Sequence, residues 1–134
     1  MNYFAVALGG FFGAGARDLL GKAVGSGYLP YGTLLINLAG SFLLLFLMTL
    51  LLERMFFGGA VLRLGLTSGF LGAFTTFSTL TKELLELLTR DTAAFVLYAV
   101  VSLAGGVLLG VLGRTLAFNL LHLSYARSAT RGEE

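Results

Sequence analysis

Four stretches of the chain, residues 3–20, 31–52, 62–80 and 93–113, approach the roughly 20 consecutive apolar residues a helix needs to cross a hydrocarbon layer of about 30 Å. With 57% hydrophobic and 12% charged residues in 134, the chain has too little polar surface to cover such segments as a soluble domain. The sequence therefore predicts an all-α integral membrane protein with four transmembrane helices in a single domain, residues 1–134. The third helix is expected to continue to residue 88, and a short amphipathic, charged tail at 114–134 to follow the fourth. No basic residue precedes the first stretch, and its glycine-rich interior ends in Arg17-Asp18, so it is expected to stay as a helix and not to act as a cleaved leader.

Cysteine is absent, which excludes disulfides and thiolate chemistry. The net charge of +2 is spread among loops, so it gives no electrostatic footprint for nucleic acid. With four crossings, Arg17, Lys22, Lys82 and Arg90 fall on one side of the membrane and Arg54, Arg63, Arg114, Arg127 and Arg131 on the other. An excess of Lys and Arg normally marks the cytoplasmic side, and a split of four against five gives almost none. Two readings follow: a single orientation decided by the Arg127–Arg131 tail, or insertion in both orientations. In the second, opposite copies pair about a two-fold axis in the membrane plane.

The third stretch carries Gly69-Phe70-Leu71-Gly72-Ala73-Phe74-Thr75-Thr76-Phe77-Ser78-Thr79-Leu80-Thr81, five hydroxyls and two glycines at membrane depth. Backbone polar groups in a bilayer must find partners, so such a run survives only inside protein or along a water-filled path. An interruption is expected at Gly72 to Thr75, with a second half-helix from Phe77 to Leu88 capped by Thr75, Thr76, Ser78 or Thr79. Broken helices of this kind coordinate ions. The competing arrangement is an unbroken helix whose hydroxyls bond back to their own carbonyls.

Elsewhere the polar groups are few. Gly9 and Gly13 form a small-xxx-small pattern suited to close helix approach, and Arg17 either snorkels to the interface or forms an anion-attracting vestibule. Asn37 shares a helical face with Thr33 and Ser41, where it serves as an interhelical hydrogen bond or as a donor facing a pore. Turns are expected around Gly25-Ser26-Gly27 and Phe57-Gly58-Gly59. Tyr98, Ser102, Gly106 and Gly110 form a four-residue stripe that packs or lines a path. Beyond Arg114, Leu116, Phe118, Leu120, Leu121 and Leu123 suit a helix lying on the membrane surface, with His122 incidental.

Three segments taken together, Gly9-Gly10-x-x-Gly13-Ala14-x-x-Arg17, Gly32-Thr33-Leu34-x-x-Asn37-x-x-Gly40-Ser41-Phe42 and Gly69-Phe70-x-Gly72-x-Phe74-Thr75-Thr76-Phe77-Ser78-Thr79, resemble the Fluc (CrcB-type) fluoride channels. The resemblance implies a fluoride-selective channel in the cell inner (plasma) membrane, built as an antiparallel, dual-topology homodimer with two pores. It further implies a structural sodium ion at the dimer interface, held by the backbone carbonyls of Gly72 and Thr75 from both copies. Phe77 would present its electropositive ring edge to the anion, Asn37 would donate to it, and Ser78, Thr79 and Ser102 would form a hydroxyl track. Arg17 would belong to the vestibule, and Glu83 would be the acidic residue that follows the motif. Two positions depart from the family pattern: Leu80 stands where a second pore phenylalanine is usual, and Gly106 where other members show a hydroxyl.

A small dual-topology drug/proton antiporter shares the length but needs a buried carboxylate, and Asp18, Glu53, Glu83 and Glu86 are all expected near span ends. A non-transporting membrane assembly subunit is the other alternative. No metal-ligand cluster, nucleophile–base pair or carboxylate pair suggests an enzyme.

Overall fold

A computed structural model describes residues 2–25, 27–53 and 59–131; for residues 52–53 and 124–131 it describes the backbone alone. The expected turn at Phe57-Gly58, Ser26 of the earlier turn, and the side chains of Arg54, Arg127 and Arg131 lie outside these residues. Every described element is helical: α1 (Asn2–Val24), α2 (Tyr31–Glu53), α3 (Gly59–Leu64), a π-helical segment (Gly65–Leu71), α4 (Gly72–Phe74), α5 (Phe77–Arg90) and α6 (Thr92–Arg131). Among the described residues, three stretches are long and apolar enough to cross a membrane: Tyr31–Leu51, Gly59–Arg90 and Thr92–Leu123. The glycine-rich α1, 23 residues long, is a fourth long helix and lies against the first half of the Gly59–Arg90 stretch.

The helices pair by close backbone approach. A methyl group at Gly9 would overlap the carbonyl of Gly65, one at Gly13 the carbonyl of Phe70, and one at Gly69 would sit 2.6 Å from the carbonyl of Val6. This is the small-residue contact that lipid-embedded helices favour, because tails as apolar as Leu leave dispersion and backbone proximity to drive association. The π-helical turn falls in the same place. Gly72 N–H reaches back to the carbonyls of both Gly69 and Thr67, which widens the helix where Gly65 and Gly69 are buried on α1.

α2 and α6 form the other pair and run in the same direction. Leu38 lies at Gly105, Ser41 at Gly106, Leu45 at Gly110, and the carbonyl of Phe42 at Gly113. Ala117 continues that face and is fully buried. The helix therefore does not end at Gly113, as the sequence reading has it. It runs through the expected surface segment to Arg131, 40 residues in all, or about 60 Å at the α-helical rise. Large apolar side chains on the outer faces, among them Phe11, Phe12, Leu103, Val107 and Leu108, are exposed, as lipid contact requires.

The third span is interrupted within and just after the expected stretch, Gly72 to Thr75, and its second half begins at Phe77 as expected. Gly72 keeps helical dihedrals (φ −62°, ψ −35°), whereas Thr75 (φ −77°, ψ 155°) and Thr76 (φ −144°, ψ 111°) are extended. The break is thus two residues wide, between α4 and α5.

Candidate functional site

At the break Thr75 closes the first half with its last helical bond: its N–H, in the ordinary i to i−4 register, and its hydroxyl both donate to the carbonyl of Leu71 at 3.0 Å. Thr76 is gripped from α2, where the Asn37 side-chain oxygen accepts its N–H at 2.8 Å and the Asn37 amide donates to its carbonyl at 3.0 Å. Thr76 is also the residue that caps α5, its hydroxyl oxygen accepting the Thr79 N–H at 3.2 Å while its proton goes to the Thr79 hydroxyl at 2.8 Å. The four hydroxyls that competed for that role in the sequence are thereby distinguished. Gly40, three residues beyond Asn37 on α2, leaves room for the methyl of Thr75.

Two cavities meet at this point. One, of about 490 Å³, is mostly apolar and is lined by Asn37, Thr75, Phe77, Leu80, Ser102 and glycines of α6. The ring of Phe77 is 77% exposed there. Ser102 is only 8% exposed, and its hydroxyl has no partner within the described residues. The second, of about 450 Å³, is more polar and is lined by Arg17, Lys22, Thr33, Thr79 and Glu83 together with Asp18. Thr76 lines both. The sequence reading used Thr76 only as a possible cap; its place between the cavities follows from the extended backbone, which no local pattern reveals.

Glu83 lies on α5 beside the first turn of α2 and lines the polar cavity with the charged end of α1. It is partly buried, one carboxylate oxygen accepting from the Thr33 hydroxyl at 2.6 Å and the other from the Tyr98 hydroxyl at 2.7 Å. Tyr98, 1% exposed, packs with Leu80, Leu87 and Ala94. The sequence places the phenol in a stripe that packs or lines a path, and its hydrogen bond to an acid fifteen residues earlier is a tertiary fact. Of the expected site residues, Asn37, Phe77, Ser102 and Thr75 share the first cavity, and Arg17, Thr79 and Glu83 the second. Ser78 is exposed and lies 3.4 Å from the Thr76 hydroxyl, and Gly72 is exposed at the end of the first half-helix.

At the edge of the membrane, Tyr28 donates to Asp91, which also accepts from the N–H groups of Ala93 and Ala94 and so caps α6. The Tyr28 hydroxyl and these backbone donors hold the Asp91 carboxyl below its usual range, and the same bond raises the Tyr28 phenol.

Residues 4–114 match the family described as "CrcB-like protein, Camphor Resistance (CrcB)". The chain belongs to the CrcB family. It is 57% identical over 134 residues, 99% of each chain, to "Fluoride-specific ion channel FluC 2" of Carboxydothermus hydrogenoformans. It is 45% identical over 112 residues to "Fluoride-specific ion channel FluC 1" of Moorella thermoacetica, covering 81% of this chain and 79% of that one. With "Fluoride-specific ion channel FluC" of Bordetella petrii the identity is 42% over 114 residues, covering 84% and 88%. The break, both cavities and Glu83 all fall within the part that matches the CrcB family.

Proposed function

We propose that this chain is a fluoride-selective ion channel of the cell inner membrane, which lets cytoplasmic fluoride leave passively through two pores of an antiparallel homodimer. The observation that carries the reading is the cavity beside the break. It brings an exposed aromatic ring, an amide and an unpartnered hydroxyl together in an otherwise apolar wall. A small anion losing water needs such groups: the Phe77 ring edge is electropositive, Ser102 has a proton to donate, and Asn37 keeps one amide hydrogen beyond the one given to Thr76. The N-terminus of α5, fourteen residues long and beginning at Phe77, adds positive partial charge at the same place. Binding there is weak enough for release because each donor is neutral.

The polar cavity with Arg17 and Lys22 would serve as the vestibule that gathers anions before the narrow path. Thr79 and Ser78 would extend the hydroxyl lining from it. Hydrofluoric acid crossing the bilayer would dissociate in a less acidic cytoplasm, and the trapped anion would leave down its gradient with no covalent step. A dimer of opposed copies would give two such paths, and the near balance of Lys and Arg between the two sides favours both orientations. It would also cover the exposed Phe77 ring.

A sodium ion between the copies would be held by the carbonyls of Gly72 and Thr75, four oxygens for a hard cation. Hydrogen-bond accounting supports this donor set: in a continuous helix these two carbonyls would accept from Thr76 and Thr79, and both of those N–H groups are bonded elsewhere. When bound, the ion would supply charge that ties the two breaks together.

Purified protein in liposomes is expected to pass fluoride far faster than chloride under an imposed gradient. Equal rates overturn the proposal.

A further inference from the structure

Opening the helix at Thr75-Thr76 removes the four backbone bonds that would run from residues 76, 77, 78 and 79 to residues 72, 73, 74 and 75. Two of the freed donors are taken by side chains. Thr76 N–H goes to the Asn37 side-chain oxygen and Thr79 N–H to the Thr76 hydroxyl, and the carbonyls they would otherwise occupy are those of Gly72 and Thr75. We infer that Asn37 and Thr76 are positioning residues that keep these two carbonyls open for a cation, by holding the only N–H groups that would close the helix over them.

The surroundings support the assignment. Asn37 grips both ends of Thr76, accepting its N–H and donating to its carbonyl, so the residue is fixed in its extended form. The Thr76 hydroxyl gives its proton to Thr79 Oγ1, which aims a lone pair at the Thr79 N–H. Thr75 spends its own N–H and hydroxyl on Leu71, leaving its carbonyl as the group free to face outward. In an apolar medium an unpaired donor is costly, so the break persists only while acceptors other than the helical carbonyls exist. Removing the Asn37 oxygen lets Thr76 N–H return to Gly72 and consume the ligand. Asn37 thereby has a task separate from any contact with an anion.

The inference rests on the sodium reading above, and its test separates the two. Thermal unfolding of the purified full chain in detergent is followed against sodium concentration, with choline replacing sodium at constant ionic strength. Fluoride flux is measured on the same samples. Asn37→Ala and Thr76→Val, each of which removes two hydrogen bonds, are expected to raise the sodium midpoint about tenfold or more. Thr76→Ser, which keeps the acceptor oxygen, is expected to stay within about twofold of the wild type by the same reasoning. An Asn37→Ala protein that loses flux but keeps the wild-type midpoint overturns the inference and makes Asn37 solely a pore donor. A wild type with fluoride flux and no sodium midpoint overturns the sodium reading and the inference together. A shifted midpoint in a chain that passes no fluoride supports the inference while overturning the flux reading. Amide hydrogen exchange on the wild type gives a check that needs no variant: Thr76 and Thr79 are expected to exchange slowly, and fast exchange at either overturns the inference.

Discussion

Before its break the third span lies against α1 through backbone atoms; after it, the same span is held by the side-chain oxygens of α2 and of its own first turn. In the first half, Gly9, Gly13, Gly65 and Gly69 bring two helices so close that added methyl groups would meet carbonyls. In the second, Asn37 and Thr76 supply acceptors for N–H groups the helix has abandoned. The first contact depends on the absence of side chains and the second on their chemistry. Size should therefore damage one half and polarity the other.

The sharpest way to break this contrast is Gly13→Val. Its methyls would enter backbone that cannot yield, and overpacking of this kind costs about 3 kcal/mol or more. The yield of monodisperse protein in detergent is expected to collapse. Gly15→Ala, two residues on and facing open space, is expected to fold as well as the wild type.

Leu80→Phe tests the second half. Leu80 is 6% exposed and packed on Leu87, Ala94 and Tyr98, so the larger ring should lower stability by about 1–3 kcal/mol through overpacking. Because Leu80 also lines the apolar cavity, fluoride flux should change in the same variant. A variant equal to the wild type in melting temperature and flux would show that this wall has slack.

Phe77→Leu separates function from packing. The ring is exposed in one copy, so the melting temperature of the monomer should move by no more than about 0.5 kcal/mol equivalent. Fluoride flux should fall by about tenfold or more as the ring edge is lost.

The smallest effect lies outside both halves, at Tyr28 and Asp91. Asp91 is depressed, so its contribution is present above the ordinary aspartate range and lost as pH falls through the lower folded value. Tyr28 is raised, so its contribution is present below the ordinary tyrosine range and lost as pH rises through the higher folded value. Tyr28→Phe should therefore flatten slightly both the acid and the alkaline edge of a melting-temperature profile. An unchanged profile would show that this exposed bond carries no stability.

The long apolar stretches were legible because lipid imposes a length, and the hydroxyl run was legible because polarity at that depth is costly. The expected interruption, Gly72 to Thr75, was too wide at its glycine end: Gly72 stays helical, and the helix opens at Thr75-Thr76, where Asn37 reaches in from 39 residues away. Gly113 misled for a related reason. It was read as an end, and it is a contact that lets the Phe42 carbonyl approach an uninterrupted α6. Glycine weakens a helix locally and permits close packing globally, and only neighbours reveal which applies.

The sequence by itself determined a helical membrane chain, a weak point in its third span and the family to which it belongs, since these depend on composition, depth and order along one chain. Which carbonyls the weak point frees, which threonine caps α5, and which residues face the apolar or the polar cavity were decided by tertiary structure alone. Each of those outcomes is a competition for hydrogen-bond partners, and the winning partner of Thr76, the amide of Asn37, lies on another helix.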